Sequence, residues 1–193
     1  MSKAERTRQF IIEASAPLIN KKGMAGTSLS DIMEVTKLAK GGIYGNFENK
    51  EEICMESFLY LRSQLAGKLD SAAAKGKSAK EKLHNLLQVY SNNQNTLEGC
   101  PILNFGVEAD DTNPVMKEQV KKAILSAQKR FSNIVQDGIT NRELSSEINP
   151  EHFSIKVFSM IEGGILCRKV LGNNDQMTIV LESIKNEFER YVI

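Results

Sequence analysis

The chain has 193 residues, of which 41% are hydrophobic, and this length and composition suffice to bury the core of one or two domains. Its 25 Lys and Arg residues balance 24 Asp and Glu residues, so composition alone indicates neither a nucleic acid nor a membrane surface as a partner. The charge is unevenly distributed, because residues 1–50 hold eight basic and five acidic residues. That basic excess fits either a nucleic-acid-binding face or ordinary solvated lysines.

The cysteines and the apolar runs indicate a compartment. Cys54, Cys100 and Cys167 are odd in number and widely spaced, which fits a reducing environment better than a disulfide framework. The N-terminal sequence MSKAERTRQF has no apolar signal core, and no apolar run approaches the length of a membrane span. We therefore expect a cytoplasmic protein.

Helical periodicity dominates the chain, beginning with AERTRQFIIEASAPLINKKG, whose apolar face ends at Gly23. Pro17 lies inside this helix and is expected to kink it. The next helix, in TSLSDIMEV, begins with Ser28 and Asp31 at capping-box spacing. A short segment with two adjacent glycines follows, and Asn49 then caps a long helix that has two glutamates in its first turn.

Further helices are predicted along the rest of the chain. Ser78 and Glu81 form another capping box, while Asn113 and Asn149 each precede a proline at a first helical position. A last helix is predicted at about 175–191, and no strand alternation stands out. The sequence therefore predicts an all-α protein of about nine helices, with a small N-terminal bundle and a larger C-terminal one.

The two short helices that flank the turn TKLA match a helix-turn-helix, whose second helix enters the major groove of DNA. Gly41 and Gly42 have no side chains to hold that helix away from DNA, although each costs about 1 kcal/mol in helix propensity. The alternative is a plain helical hairpin whose lysines are solvated. The residues predicted to contact DNA are Thr27, Ser28, Lys40, Gly41, Gly42, Tyr44, Asn46 and Lys50.

The sequence contains no pattern typical of an enzyme. Its two histidines, His84 and His152, have no Cys or Ser partner at motif spacing, and CxxC, HExxH, GxGxxG and Walker patterns are absent. We therefore expect no catalytic activity, no metal and no cofactor. A second alternative is a helical dimer that binds a small molecule and has lost specific DNA binding, although Lys40, Tyr44 and Lys50 favour DNA binding.

The segment TSLSDIMEVTKLAKGGIYGNFENKEEI resembles the DNA-binding signature of the TetR/AcrR family of bacterial transcriptional regulators. ASAPLINKKGMAGTSLSDIM is similar to the first helix of that family, EGCPILNFGVEADDTNP to a middle segment of one subgroup, and SMIEGGIL to the penultimate helix. The resemblance implies a DNA-binding domain at 1–48 and a ligand-binding and dimerisation domain at 49–193. It further implies a homodimeric repressor that a small-molecule inducer releases from a palindromic operator in double-stranded DNA.

Three positions depart from the family pattern. Lys37 stands where the turn normally has glycine, Ala39 stands where a Ser or Thr cap is usual, and Gly45 replaces a more usual polar or aromatic residue. Without its cap the second helix loses about 1 kcal/mol of stabilisation. The operator sequence therefore cannot be taken over from other family members.

The last two helices are expected to pair across a two-fold axis, as the resemblance implies, and two half-sites on DNA also require a dimer. An ordinary core is the alternative for the same apolar stripe. The predicted interface residues are Phe158, Ile161, Gly164, Ile165, Leu181, Ile184 and Phe188, with Gly163 beside them to allow close approach.

The inducer pocket is expected between the middle helices. Its candidates also have the alternative of plain core, and Tyr90 is the best single one because a buried phenol needs a hydrogen-bond partner. Cys100 is either a redox-sensing thiol or a small packed residue. The acidic run EADD either ends a helix or binds a cation. The pocket candidates are Leu61, Leu65, Leu86, Tyr90, Leu103, Phe105, Phe131 and Met160.

Overall fold

The structure is a computed structural model that describes residues 1–91 and 99–193. Over these residues it contains nine α-helices and no strand, which confirms the predicted all-α class. The helices are α1 Lys3–Lys22, α2 Leu29–Thr36, α3 Lys40–Tyr44, α4 Lys50–Ala73, α5 Ala79–Ser91, α6 Pro101–Ala109, α7 Pro114–Thr140, α8 Pro150–Leu171 and α9 Asp175–Glu189.

Local signals set the ends of these helices. The side chain of Asn113 accepts the backbone N–H of Met116 at 2.9 Å and starts α7. Asn149 does the same for His152 at the start of α8. Helix α1 continues through Pro17 to its end. None of the helices in the described residues has the length and apolar content needed to cross a membrane.

The chain forms two compact units. The first consists of Met1–Leu65 and the described residues of Glu98–Val120, and the second of the described residues of Ala66–Leu97 and of Lys121–Ile193. The predicted domain boundary between 1–48 and 49–193 stays a prediction.

Each unit has its own apolar core. In the first, the rings of Phe58 and Phe105 lie 5.2 Å apart between centroids, and in the second those of Phe153 and Phe188 lie 5.6 Å apart. Fully or almost fully buried side chains of the first core include Ile11, Ile19, Ile32, Ile43, Ile53 and Phe58, and those of the second include Leu86, Phe131, Val157, Ile161, Ile184 and Phe188.

Candidate nucleic-acid interface

Helices α2 and α3 are anchored to the first core by one isoleucine each, Ile32 and Ile43, and both are fully buried. Between the helices, Lys37 adopts a left-handed backbone conformation with φ 57° and ψ 23°. Ala39, which precedes α3, has the extended backbone of a cap residue with φ −70° and ψ 159° but makes no side-chain hydrogen bond to the helix. The helix-turn-helix geometry is therefore present, with an uncapped second helix.

The outer face of α3 is exposed. Lys40, Gly41 and Gly42 all lie on the surface, and the Tyr44 side chain is 39% exposed. The ammonium of Lys40 lies 5.8 Å from the centre of the Tyr44 ring. This face therefore combines a positive charge, a phenol and bare backbone.

The other four predicted contact residues are already used within the first unit. The buried hydroxyl of Thr27 donates to the carbonyl of Gly23 at 2.7 Å, so this side chain serves the turn before α2. Ser28 caps α2 by accepting the N–H of Asp31 at 3.1 Å. The amide of Asn46 donates to the carbonyl of Gly42 at 2.8 Å.

The turn from Gly23 to Thr27 is held from two sides. On one side, the carboxylate of Glu108 on α6 accepts the N–H of Met24 at 2.6 Å and that of Ala25 at 2.5 Å. On the other, the ammonium of Lys50 at the start of α4 donates to the carbonyls of Met24 at 2.8 Å and Thr27 at 2.9 Å. Two of the three N–H groups of Lys50 are thus engaged within the fold, and its predicted phosphate contact stays a prediction.

Gly23 is required at the start of this turn for two reasons. Its φ of 84° lies in the region that favours glycine. In addition, a Cβ at this position would lie only 3.0 Å from a carboxylate oxygen of Glu108. The backbone can therefore approach the carboxylate only because no side chain stands between them.

Helix α6 is also attached to the end of α1. The amide of Asn104 donates to the backbone and side-chain oxygens of Asn20 at 2.9 and 3.0 Å. The buried amide of Asn20 in turn donates to the carbonyl of Gly99 at 3.2 Å. Polar side chains therefore fix α6 both to α1 and to the turn that leads into α2.

Arg8 holds the stretch of chain that follows α3 and leads into α4. Its guanidinium donates to the carbonyl of Asn46 at 2.6 Å and to the carboxylates of Glu52 at 2.7 Å and Glu56 at 3.0 Å. It also lies 4.2 Å from the centre of the Phe47 ring. Arg8 belongs to the basic excess seen in the sequence, but its charge is neutralised inside the unit.

Lys22 is neutralised in the same way. Its ammonium pairs with Asp31 at 2.6 Å, and this ammonium together with the N–H and hydroxyl of Ser28 lowers the pKa of Asp31 to about 2. Because the pKa is depressed, the stabilisation is present above the unfolded-state pKa of about 4 and is lost only as pH falls through about 2. Lys37 and Lys40 remain exposed and make no ion pair with a described residue.

The predicted pocket residues are divided between the two units, and their role stays a prediction. Leu61, Leu65, Leu103 and Phe105 lie in the first unit, and Leu86, Tyr90, Phe131 and Met160 lie in the second. Phe105, Leu86 and Phe131 are almost fully buried, and Tyr90 is 7% exposed. None of the eight lines either of the two cavities described in the second unit.

The predicted dimer residues lie mainly inside the chain's own core. Ile161, Ile165, Ile184 and Phe188 are at most 3% exposed, while Phe158 and Leu181 are half-buried. A Cβ on Gly164 would lie 3.0 Å from the side chain of Met177, so this glycine serves the packing of α8 on α9 within one chain. The apolar side chains exposed on these two helices are instead Ile155, Leu166, Val170, Leu171 and Ile179.

Cys100 is buried, and two residues of the acidic run EADD bind groups of their own unit. Cys100 is 3% exposed, which fits the small packed residue better than its alternative, the redox-sensing thiol. For Cys54, burial raises the pKa of the thiol to about 11. In the acidic run, Glu108 holds the turn and Asp110 pairs with Lys117 at 2.6 Å. Residues 1–91 and 99–193 contain no cluster of three or more His, Cys, Asp or Glu side chains that could hold a metal ion.

These features define a DNA-binding helix-turn-helix protein with an all-α second unit, and comparisons identify its family. The family model "Bacterial regulatory proteins, tetR family" matches residues 11–56, and "Tetracyclin repressor-like, C-terminal domain" matches residues 79–184. The second match spans more than half of the chain. The protein therefore belongs to the TetR family of transcriptional regulators, as its sequence resemblance predicted, and is not an enzyme.

Individual relatives agree with this assignment. A TetR-family transcriptional regulator from Cytophaga hutchinsonii has a solved structure that is 36% identical, covers 100% of this chain and 98% of its own, and has a TM-score of 0.91. The regulator TtgR of Pseudomonas putida is 28% identical over 83% of this chain and 79% of its own length. The probable acrEF/envCD operon repressor of Escherichia coli K12 is 34% identical over 30% of this chain and 26% of its own.

The uncapped start of α3 predicts a stabilising substitution. Ala39→Ser places a hydroxyl beside the N–H groups of Gly41 and Gly42 and is expected to raise the free energy of unfolding by about 1 kcal/mol, measured by urea denaturation. Ala74→Ser, on an exposed alanine beyond the end of α4, is the control and should change stability by less than about 0.5 kcal/mol. Equal effects at both positions would show that no cap forms.

The hydrogen bonds from the turn to Glu108 predict that a substitution there lowers the free energy of unfolding. Glu108→Gln removes the charge from two hydrogen bonds to the turn and is expected to lower the free energy of unfolding by about 1–3 kcal/mol in urea denaturation. Asp110→Asn removes the same charge from a mostly exposed ion pair near the end of the same helix, so its cost should stay below about 1 kcal/mol. If the two variants lost the same stability, the charge of Glu108 would have no special role in the turn.

Proposed function

We propose that this regulator is a ligand-responsive homodimeric repressor in the cytoplasm, which binds a palindromic operator and leaves it when a small-molecule inducer binds. The protein belongs to a family whose members are generally repressors, which supports repression rather than activation. The exposed face of α3 supports DNA as the partner. The single observation that carries the proposal is the pair Gly41–Gly42 on that face.

These glycines are not needed by the fold. Among the residues that the structure describes, none has an atom within 4 Å of a Cβ on Gly41, and only the side chain of Leu38 touches one on Gly42, at an ordinary 3.6 Å. Neither residue has a positive φ. Since each glycine costs a helix about 1 kcal/mol relative to alanine, the physical reason for them lies outside the chain, in a surface that approaches the backbone of α3.

We infer that this surface is the major groove. Lys40 reaches a phosphate or a guanine edge, and the hydroxyl of Tyr44 reaches a phosphate. We place Lys50 first as a support of the turn and second as a phosphate contact, through its remaining N–H. Thr27 and Ser28 are assigned to the turn and the cap of α2, because their hydroxyls are engaged there.

We place the dimer interface on the exposed face of α8 and α9. Ile155, Leu166 and Val170 recur at helical spacing on α8, and Ile179 on α9 is 62% exposed. Gly163 lies on the same side of α8, and a Cβ there would have no atom of the other described elements within 4 Å, which permits close approach of a second helix. Two subunits joined here would present two copies of α3 to half-sites separated by whole helical turns.

We further propose that the inducer acts through α4. This helix, Lys50–Ala73, has residues in both compact units, and its first residue supports the turn before α2. A shift of α4 would change the separation of the two copies of α3, so that the half-sites no longer fit.

Selection of bound duplexes from a random DNA library, at two salt concentrations, tests the proposal as a whole. A recovered palindrome with half-sites spaced by helical turns would support a dimeric reader, and affinity should fall steeply with salt. Recovery of no consensus, with weak binding at both salt concentrations, would instead favour a ligand-binding dimer without specific DNA binding.

Gly41→Ala separates the needs of the fold from those of DNA binding. The added methyl has open space in the free protein, so we expect the free energy of unfolding to rise by up to about 1 kcal/mol. The same methyl should weaken binding to the selected duplex at least about tenfold, which is about 1.4 kcal/mol, measured by fluorescence anisotropy.

Gly67→Ala is the matched control, because Gly67 is also an exposed helical glycine, and no atom in the described part of the chain lies within 4 Å of a Cβ there. It should gain similar stability and leave DNA affinity unchanged. If both variants bound the duplex as tightly as the unaltered protein, the close approach of DNA to α3 would be refuted.

The interface is tested by Leu166→Glu, which places a charge on a side chain that is 48% exposed on α8. We expect the dimer to dissociate into folded monomers at micromolar concentration in analytical ultracentrifugation, because an interface core excludes unpaired charge. Leu125→Glu on α7, at a position 55% exposed, should leave the dimer intact. A dimer that survived Leu166→Glu would place the interface elsewhere.

A further inference from the structure

Lys37 stands at a position whose backbone suits glycine. Within the described residues, the non-glycine residues with a left-handed backbone are Lys37, with φ 57°, and Arg142, with φ 59°. In this conformation the Cβ lies close to the following carbonyl oxygen, so a residue without a Cβ adopts it at the least cost. A lysine held there in the turn between α2 and α3 therefore needs a compensating role.

Contacts within the described chain do not supply that role. Lys37 is exposed and makes no ion pair with any residue of 1–91 or 99–193. It is the C-cap of α2, where the helix dipole attracts a cation. For an exposed charge that attraction is smaller than the cost of the left-handed backbone, so it does not account for the lysine.

The chain around Lys37 has positive charge without a compensating carboxylate. Residues 35–47 include two lysines, Lys37 and Lys40, and no acidic residue. Both lysines are exposed, whereas Arg8 and Lys22 of the same unit are neutralised by carboxylates. The turn and the start of α3 therefore present a local field that attracts anions.

Lys37 lies where a helix-turn-helix meets the backbone of DNA. In this motif the second helix lies in the major groove while the first crosses the sugar-phosphate backbone. Lys37 joins the two, because it ends α2 and precedes the first residue of α3 by three positions. A lysine ammonium on its flexible stem suits a phosphate as a point charge, whereas base edges are reached from α3 itself.

We propose that Lys37 binds a backbone phosphate at the edge of the major groove and contributes affinity without choosing bases. The contact rests on the proposed function, since it requires the duplex that α3 reads. Each subunit of the proposed dimer supplies one Lys37, so two phosphates are neutralised in the complete complex and their counterions are released.

The salt dependence of DNA binding tests the contact through Lys37→Gly. Glycine relieves the backbone strain, which changes affinity equally at every salt concentration, whereas a lost phosphate contact changes the slope of log affinity against log salt. We expect the slope on the selected duplex to become shallower by about 1.8. Between about 50 and 200 mM salt the variant should therefore lose about tenfold less affinity than the unaltered protein, measured by fluorescence anisotropy. The midpoint of urea unfolding should rise by about 0.5 M.

Arg142→Gly is the matched control, since it removes the same charge and the same left-handed strain from the second unit. It should raise the urea midpoint by a similar amount and leave the slope unchanged. Lys37→Arg keeps the charge and should retain the slope of the unaltered protein. An unchanged slope in Lys37→Gly would refute the contact, and an equal change in both glycine variants would refute it by reducing the effect to net charge.

Library selection repeated with Lys37→Gly separates a phosphate contact from base readout. The same consensus is expected, because a phosphate carries no sequence information. A changed consensus would assign Lys37 to base edges and overturn the proposal. If the unaltered protein bound no duplex, the proposed function and this contact would fail together, whereas an unchanged slope on a bound duplex refutes the contact alone.

Discussion

The helix-turn-helix depends on how the turn between Gly23 and Thr27 is held. A turn cannot satisfy its own backbone polar groups as a helix does, and leaving them unpaired in a partly buried place costs free energy. Here the carboxylate of Glu108 takes two N–H groups while the ammonium of Lys50 takes two carbonyls. Helices α1, α2, α4 and α6 thus meet at one turn, and the position of α2, against which α3 lies, follows from it.

The first unit satisfies its charged groups inside the fold, whereas the exposed face of α3 is left without such partners. Arg8, Lys22 and Lys50 direct their charges to acceptors inside the unit, and Ile32 and Ile43 anchor the two short helices from below. Outward, α3 has an exposed lysine and glycines but no cap. Helix α2 has a side-chain cap and α3 has none. We proposed that α3 receives its polar contacts from DNA instead.

The sequence predicted what depends on neighbouring residues and missed what depends on distant ones. Caps such as Ser28 and Asn149 act over three residues, so the helix starts and the all-α class could be predicted from spacing. The contact of Glu108 with Met24 joins residues 84 positions apart and left no local signal. Periodicity revealed an apolar stripe on α8 but not whether it faces its own chain or a partner. Adjacent Gly163 and Gly164 differ in this respect, since only the second is packed against α9.

The left-handed backbone of Lys37 affects how this region moves. A non-glycine residue in that conformation costs about 1–2 kcal/mol, and it precedes an uncapped helix of only five residues. The amide hydrogens from Lys37 to Gly45 are therefore expected to exchange with solvent before those of α4, because local opening requires the least free energy there. A DNA duplex that bound α3 would have to supply the free energy that orders these residues, so the turn at Lys37 would lower the affinity for every sequence alike.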